Sequence, residues 1–435
     1  MTLASSPVRA FRASLLHFLT HPREGKAAYE YFEDGVLIVR DGKVEQVGPA
    51  TPLLQSLPAE VEVTHFPNCL ISPGFIDTHT HFAQTQIIGS PAKDTLRWLE
   101  KFTFPAEERF SDFAHAKKIA SFFLDELLRQ GTTTASVFGT VHPESIEAFF
   151  EEAGHRDLRM ICGKVLMDRN APPTLTDTPE SAYTDSKRLI EKWQGKHRLE
   201  YALTPRFAPT STPEQLAQVK RLLNDYPTLL LQTHLSETPS EVAWVKSLFP
   251  KSRSYLDVYH SYGMCRPRSI FAHAIHLDSQ DWSILADTGS SISFCPTSNL
   301  FLGSGLFRFS TALDHNISLG LGTDIGGGTS FSVLRTMSEA QKVCALQGQA
   351  FDALVGWYLA TLGGATALGI SDKIGNFSRG KEADFVVLNL AANPLMQLRL
   401  AEACSLEEKL FALMTLSETS TVKHTYVLGK EAYSA

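Results

Sequence analysis

Pro73-Gly74-Phe75-Ile76-Asp77-Thr78-His79-Thr80-His81 closes a β-rich run that opens at residue 69. Side chains alternate along a strand, so His79 and His81 point to one side. Seven more β-rich runs follow, at 132–138, 159–167, 200–207, 229–234, 270–274, 291–295 and 318–322. Segments of helical periodicity lie between them, among them 113–129, 213–225 and 240–248. Eight β-then-α units over about 250–300 residues predict an α/β fold, a (β/α)8 barrel of the TIM type. A doubly wound sheet would open with GxGxxG after its first strand, and the sequence has none there.

On either side of this middle the character changes. Gly35-Val36-Leu37-Ile38-Val39 and Lys43-Val44-Glu45-Gln46-Val47 flank Asp41-Gly42, a hairpin turn pair. Asp384-Phe385-Val386-Val387-Leu388 and Thr425-Tyr426-Val427-Leu428 read as strands near the other end. The expected organisation is a barrel at 70–370 and a small β-sandwich domain built from 1–69 and 371–435.

Of 435 residues, 43% are hydrophobic and 20% charged, values of a globular chain. Lys+Arg 40 against Asp+Glu 47 leaves a net charge of −7, which argues against a nucleic-acid binder. The six cysteines are scattered without a CxxC pair, as free thiols in a reducing cytoplasm would be. Met1 to Arg12 holds no apolar run fit for a leader, and no run of roughly 18 apolar residues suggests a membrane span. GxxxxGK[ST] is absent, so phosphate chemistry has no support.

The chemistry gathers at strand ends. His234 closes the fifth run, His273 the sixth, and Asp324 follows the eighth. These ends face the C-terminal mouth of a barrel, where barrel active sites lie. Taken alone, His79-x-His81 could be two ordinary histidines, but five such groups at one mouth point to a metal. The fourth run has no lysine to bridge two ions, and Lys164 lies inside the third. One ion is therefore expected, held by His79, His81, His234 and Asp324 with water, Zn or Fe by ligand type.

Such an ion lowers the pKa of water from 15.7 to about 7. Glu237, three residues past His234, is the candidate proton shuttle; otherwise it is a helix-start carboxylate. His273 is read as orienting the hydroxide rather than binding the ion, and Asp324 as also accepting the nucleophile's proton. His17, His65, His115, His155, His197, His260, His315 and His424 are expected on the surface or on helices. His142 and His276 follow strands and lie closer to the mouth. Gly326-Gly327-Gly328 reads as a loop approaching the site closely.

The set His79, His81, His234, His273 and Asp324 resembles the amidohydrolase superfamily, and His234-Leu235-Ser236-Glu237 its mononuclear deaminase branch. Phe82-Ala83-Gln84, the stretch Trp98 to Glu107, Thr204-Pro205-Arg206-Phe207 and Cys295-Pro296-Thr297-Ser298-Asn299 are similar to the guanine deaminases. The resemblance runs from about residue 10 to the end. It implies hydrolysis of the small-molecule substrate guanine to xanthine and ammonia, with hydroxide attacking C2 and Glu237 carrying its proton to N3. It places Arg206 on the guanine carbonyl, Gln84 on the ring edge and Phe207 against the base. Alternatives are a salt bridge for Arg206 and plain packing for Phe207. Trp98 and Phe104 would belong to a lid in the loop 84–110. The resemblance also implies a homodimer. A relative acting on another aminopurine, a pterin or a triazine, or removing chloride, is the competing enzyme, and a non-catalytic relative would lack the ligands.

Overall fold

All seven residues of Phe75–His81 are buried, the pattern of a parallel strand covered on both faces. This is β1. It is followed by β2 (Thr132–Phe138), β3 (Arg159–Gly163), β4 (Glu200–Pro205), β5 (Leu230–Leu235), β6 (Ser269–His273), β7 (Ser291–Phe294) and β8 (Leu319–Leu321). The computed structural model describes residues 8–91 and 95–435. Part of the N-terminal stretch read for a leader, and residues 92–94 of the loop 84–110, lie outside them. Among the described residues these eight strands form one parallel sheet in sequence order, and Val165–Leu166 adds to β4 beyond β3.

The sheet closes where β8 meets β1. Asp324 N donates to His79 O at 2.9 Å, and Thr78 Oγ1 donates to Leu321 O at 3.0 Å. The seam needs Gly320, because a Cβ there would lie 2.3 Å from Thr78 Cγ2. The (β/α)8 barrel is therefore present, and its helices follow their signals. Phe113–Arg129 starts where Asp112 accepts from Ala114 N, and buries Ala116, Ile119, Ala120, Phe123 and Leu127 on one face. The helices Pro213–Asp225 and Pro239–Leu248 begin with proline, whose missing N–H costs nothing in a first turn.

The barrel opens later than the sequence suggests. Residues 69–73 belong to Val63–Pro73, a strand of the second sheet that pairs with Phe385–Asn389 and Arg9–Phe18. At Pro73-Gly74 the chain changes partners, so that Phe75 N donates to Gly131 O at 2.9 Å. Cys69-Leu70-Ile71-Ser72 runs on into Phe75-Ile76 with only Pro73-Gly74 between them.

The small β unit expected from both termini is there, in one continuous hydrogen-bonded sheet of seven strands. Its order is Lys430–Ser434, Val422–Val427, Phe385–Asn389, Val63–Pro73, Arg9–Phe18, Tyr29–Arg40 and Lys43–Pro49. Asp41 and Gly42 both have positive φ, as the hairpin turn requires. Phe385 and Tyr426 stack at 4.4 Å in its core. His17, expected on the surface or a helix, is instead buried on Arg9–Phe18, 2.9 Å from Glu30.

An ion network seals the barrel floor against this sheet. Arg159 Nε and Arg198 Nε donate to Glu382 at 2.7 and 3.0 Å, while Arg268 Nη2 and Lys373 Nζ donate to Glu200 at 2.6 and 2.8 Å. Five cysteines are buried and free, and Cys404 is exposed. Among the described residues no helix is long and apolar enough to cross a membrane.

Candidate active site

Four ligand atoms, one each from His79, His81, His234 and Asp324, lie within 4.8 Å of one another at the top of the barrel. The Nε2 atoms face inward: His81 Nε2 is 3.3 Å from those of both His79 and His234, and 3.1 Å from Asp324 Oδ1. His234 Nδ1–H donates to Arg206 O at 2.7 Å, which frees its Nε2 lone pair. Burial pushes His81 down to about 3 and lowers His79 and His234 as well, so these imidazoles are neutral at pH 7. Burial opposes ionisation of Asp324, but its bonds to His79 and His81 prevail and hold it well below the usual range. Three neutral imidazoles with one carboxylate suit a divalent cation. Ligands about 2.0–2.2 Å from an ion are at most about 4.4 Å apart, so the four atoms need close in only slightly. Lys164, paired with Asp177 at the break after β3, is not among them.

Beside this set sit Glu237 and His273. Glu237 is buried and accepts from Ser304 Oγ at 2.8 Å. Burial, then the charge of Asp324, raises its carboxyl to about 8 against that hydrogen bond. His273 Nε2 lies 3.8 Å from Glu237 Oε2 and 3.9 Å from Asp324 Oδ2, outside the group of four. Left-handed backbone at Ser236, His273, Ala274 and Asp324 turns the ends of β5, β6 and β8 into the mouth. Such non-glycine positions cost about 1–3 kcal/mol each and gather at functional sites.

Opposite lies a polar wall. Arg206 Nη1 donates to Glu107 at 2.8 and 3.0 Å, and Gln84 Nε2 donates to the same carboxylate at 3.2 Å. All three side chains are buried. Gly326 makes room for Gln84, since a Cβ there would lie 2.1 Å from its Oε1. The close approach read into Gly326-Gly327-Gly328 is thus partly onto Gln84. A cleft of about 480 Å³ joins the wall to the cluster, with Gln84, Arg206, Phe207 and Trp98 in its lining beside His81, His234, Glu237, His273 and Asp324. Arg206 makes the salt bridge that was its alternative and still faces the cleft. Phe104 is buried with its ring 5.8 Å from the Arg206 guanidinium carbon. His276 accompanies Ser304, its ring 2.9 Å from the Ser304 carbonyl.

A sequence model of the amidohydrolase family matches residues 70–432. The chain belongs to the amidohydrolase family. Within the family it is 49% identical over 429 residues to the guanine deaminase of Escherichia coli (strain K12), covering 98% of each chain. The solved structure of that E. coli enzyme matches with a TM-score of 0.95, over 98% of this chain and 99% of the other. Guanine deaminase from Bradyrhizobium japonicum matches at 0.95 with 36% identity, over 99% and 100% of the two chains. That of C. acetobutylicum, with guanine bound in its active site, matches at 0.88 with 28% identity, over 98% and 100%.

Several groups of this amidohydrolase site escape sequence reasoning. Glu107 ends the short helix Phe104–Glu107, and nothing in its spacing points to Arg206, 99 residues on. Asp77 lies in the quoted motif, yet its bonds to Thr323 N at 3.0 Å and Thr323 Oγ1 appear only once the barrel closes. Ser304 and Asn299 act on Glu237 and His273 through contacts of 2.8 Å. Glu241, a second buried carboxyl in the cleft, has its pKa raised to about 8 by burial and by Glu237. It lies in the first turn of Pro239–Leu248, and Glu237 precedes that helix, so the Glu-x-x-x-Glu spacing does not announce the pair.

Proposed function

We propose that this amidohydrolase deaminates guanine, converting guanine and water to xanthine and ammonia in purine catabolism. The observation that carries this reading is a single cleft lined both by His81, His234 and Asp324 of the ligand set and by Arg206 and Gln84, which share Glu107 behind them. The near-full-length likeness to guanine deaminases supports it.

In this reading His79, His81, His234 and Asp324 hold one ion, Zn²⁺ or, on the same ligands, Fe²⁺. When bound, the ion supplies hydroxide at neutral pH by lowering the pKa of water to about 7. Arg206 donates to the guanine carbonyl, Gln84 meets the ring edge and Phe207 flanks the base, which sets C2 toward the ligand cluster. Glu237 takes the nucleophile's proton, delivers it to ring N3, and then helps the amine leave as ammonia. A carboxyl poised near neutrality can both take and give protons. Asp324 is a second acceptor for that proton, and His273 orients the attacking oxygen. A homodimer belongs to the same proposal and rests on the resemblance alone, while a cytoplasmic location rests on the free cysteines.

The test is product analysis at neutral pH with guanine, adenine, a pterin and an aminotriazine offered separately. Xanthine and ammonia in equal amounts, from guanine far faster than from the others, is the expected result. Preferred turnover of another heterocycle would overturn the substrate assignment.

A further inference from the structure

His273 closes β6 in a left-handed conformation (φ 70°), its ring nearly parallel to that of His234 at 5.4 Å. Its two nitrogens face different surroundings. Nδ1 is 2.8 Å from the side-chain amide nitrogen of Asn299, on the helix Pro296–Leu302. Nε2 is buried, has no hydrogen-bond partner, and looks toward Glu237 Oε2 at 3.8 Å and Asp324 Oδ2 at 3.9 Å. A neutral imidazole carries one proton, and the partner of one nitrogen decides what the other offers.

We infer that Asn299 is a positioning residue, whose amide donates to His273 Nδ1 and so keeps the imidazole proton on Nε2, aimed at the attacking oxygen. This rests on the proposed deamination for its catalytic consequence, though not for the tautomer itself. Two observations favour this arrangement over its mirror. In the opposite tautomer the Nε2 lone pair would face Asp324 Oδ2, an ionised carboxylate oxygen 3.9 Å away, with no proton between. The amide would also have to turn over, leaving its NH2 group, rather than one carbonyl oxygen, buried without a partner. As it stands the amide nitrogen has its partner and Asn299 Oδ1 lacks one. Asn299 is 1% exposed, so no bulk water competes for His273 Nδ1. The helix that carries it is closed at both ends around this residue: Asn299 N donates to the N-cap Cys295 O at 3.0 Å, and Ser304 N, just past the helix, donates to Asn299 O at 2.9 Å. Ser304 in turn holds Glu237. One short helix and its exit thus set both groups that handle the nucleophile's proton.

The direct test is 15N NMR of zinc-loaded protein labelled at histidine, with His273 assigned by its absence in His273→Gln. The inference expects an Nε2–H tautomer, and an Nδ1–H signal in the wild type would overturn it whether or not guanine is turned over. Asn299→Asp keeps the shape and exchanges the donor for an acceptor. It should move the proton to Nδ1, or protonate both nitrogens. It should also lower kcat for guanine about 10²-fold or more, the cost of losing one placed donor, with KM changed less than about threefold and metal content unchanged. A wild-type kcat in that variant, or a loss confined to KM, would count against the inference. A wild type with the Nε2–H tautomer and no guanine turnover would instead overturn the proposed function and leave this inference standing.

Discussion

Glu107→Gln tests the polar wall. The native carboxylate accepts from Arg206 Nη1 at both oxygens, 2.8 and 3.0 Å away, and from Gln84 Nε2 at 3.2 Å through Oε1. The amide variant has the same shape but one acceptor atom and no charge. Either orientation of the new amide sets an N–H against a donor, Arg206 in one case and both Arg206 and Gln84 in the other. Hydrogen bonds to a charged group contribute about 1.5–3 kcal/mol and neutral ones about 0.5–1.5, so the Arg206 contact loses about 1 kcal/mol. A buried donor left facing a donor costs a further 1–3 kcal/mol or so. The sum is roughly 3 kcal/mol of misplacement at the groups proposed to hold guanine. Expressed in the transition state, that is about a 10²-fold fall in kcat/KM. Steady-state xanthine formation and metal content measured on one sample form the assay, with circular dichroism as the control for folding. The ion should stay, because Glu107 lies outside the ligand set. A kcat/KM within about threefold of wild type in a folded, metal-loaded variant would refute the reasoning that Glu107 sets Arg206 and Gln84.

Three further outcomes follow from other contacts. Glu237→Gln should retain metal while turnover falls about 10³-fold, in line with the usual worth of a placed acid–base; near-normal turnover would remove the shuttle role. Gly320→Ala forces a Cβ against Thr78 at the barrel seam and should cost about 1–3 kcal/mol in urea unfolding, partly recovered by Thr78→Ser; unchanged stability would contradict the seam geometry. Glu241 holds its proton to about pH 8 in the folded chain, against 4.5 for an ordinary carboxyl, so between those values its contribution to stability falls as pH rises, by up to about 1.4 kcal/mol per unit. Glu241→Gln should therefore gain stability relative to wild type from pH 5 to pH 8, and parallel stability curves would contradict this.

The barrel was legible because its strands are apolar runs of the right length set between periodic helices, and parallel strands buried on both faces leave that trace. The convergence of His79, His81, His234 and Asp324 was legible because all four fall at strand ends, which a barrel brings to one mouth. The start of β1 was not, since residues 69–73 and Phe75–His81 read as one run and only tertiary pairing tells the two sheets apart. His17 escaped for a related reason: one histidine in a strand gives no sign that both faces are covered. Glu107 and Asn299 escaped because their partners are 99 and 26 residues away, a separation that carries no period. For Arg206 the salt bridge and the cleft position read as alternatives in the sequence, whereas in the fold it has both.

The central claim is that one ion, held by three histidines and one aspartate, drives guanine deamination. Its most direct test is guanine turnover by chelated protein titrated with Zn²⁺, activity and bound metal being read together. Activity should be absent without metal, rise in proportion to occupancy, and level off at about one equivalent per chain. Full turnover in metal-free protein, or a rise that continues to two equivalents, would contradict it.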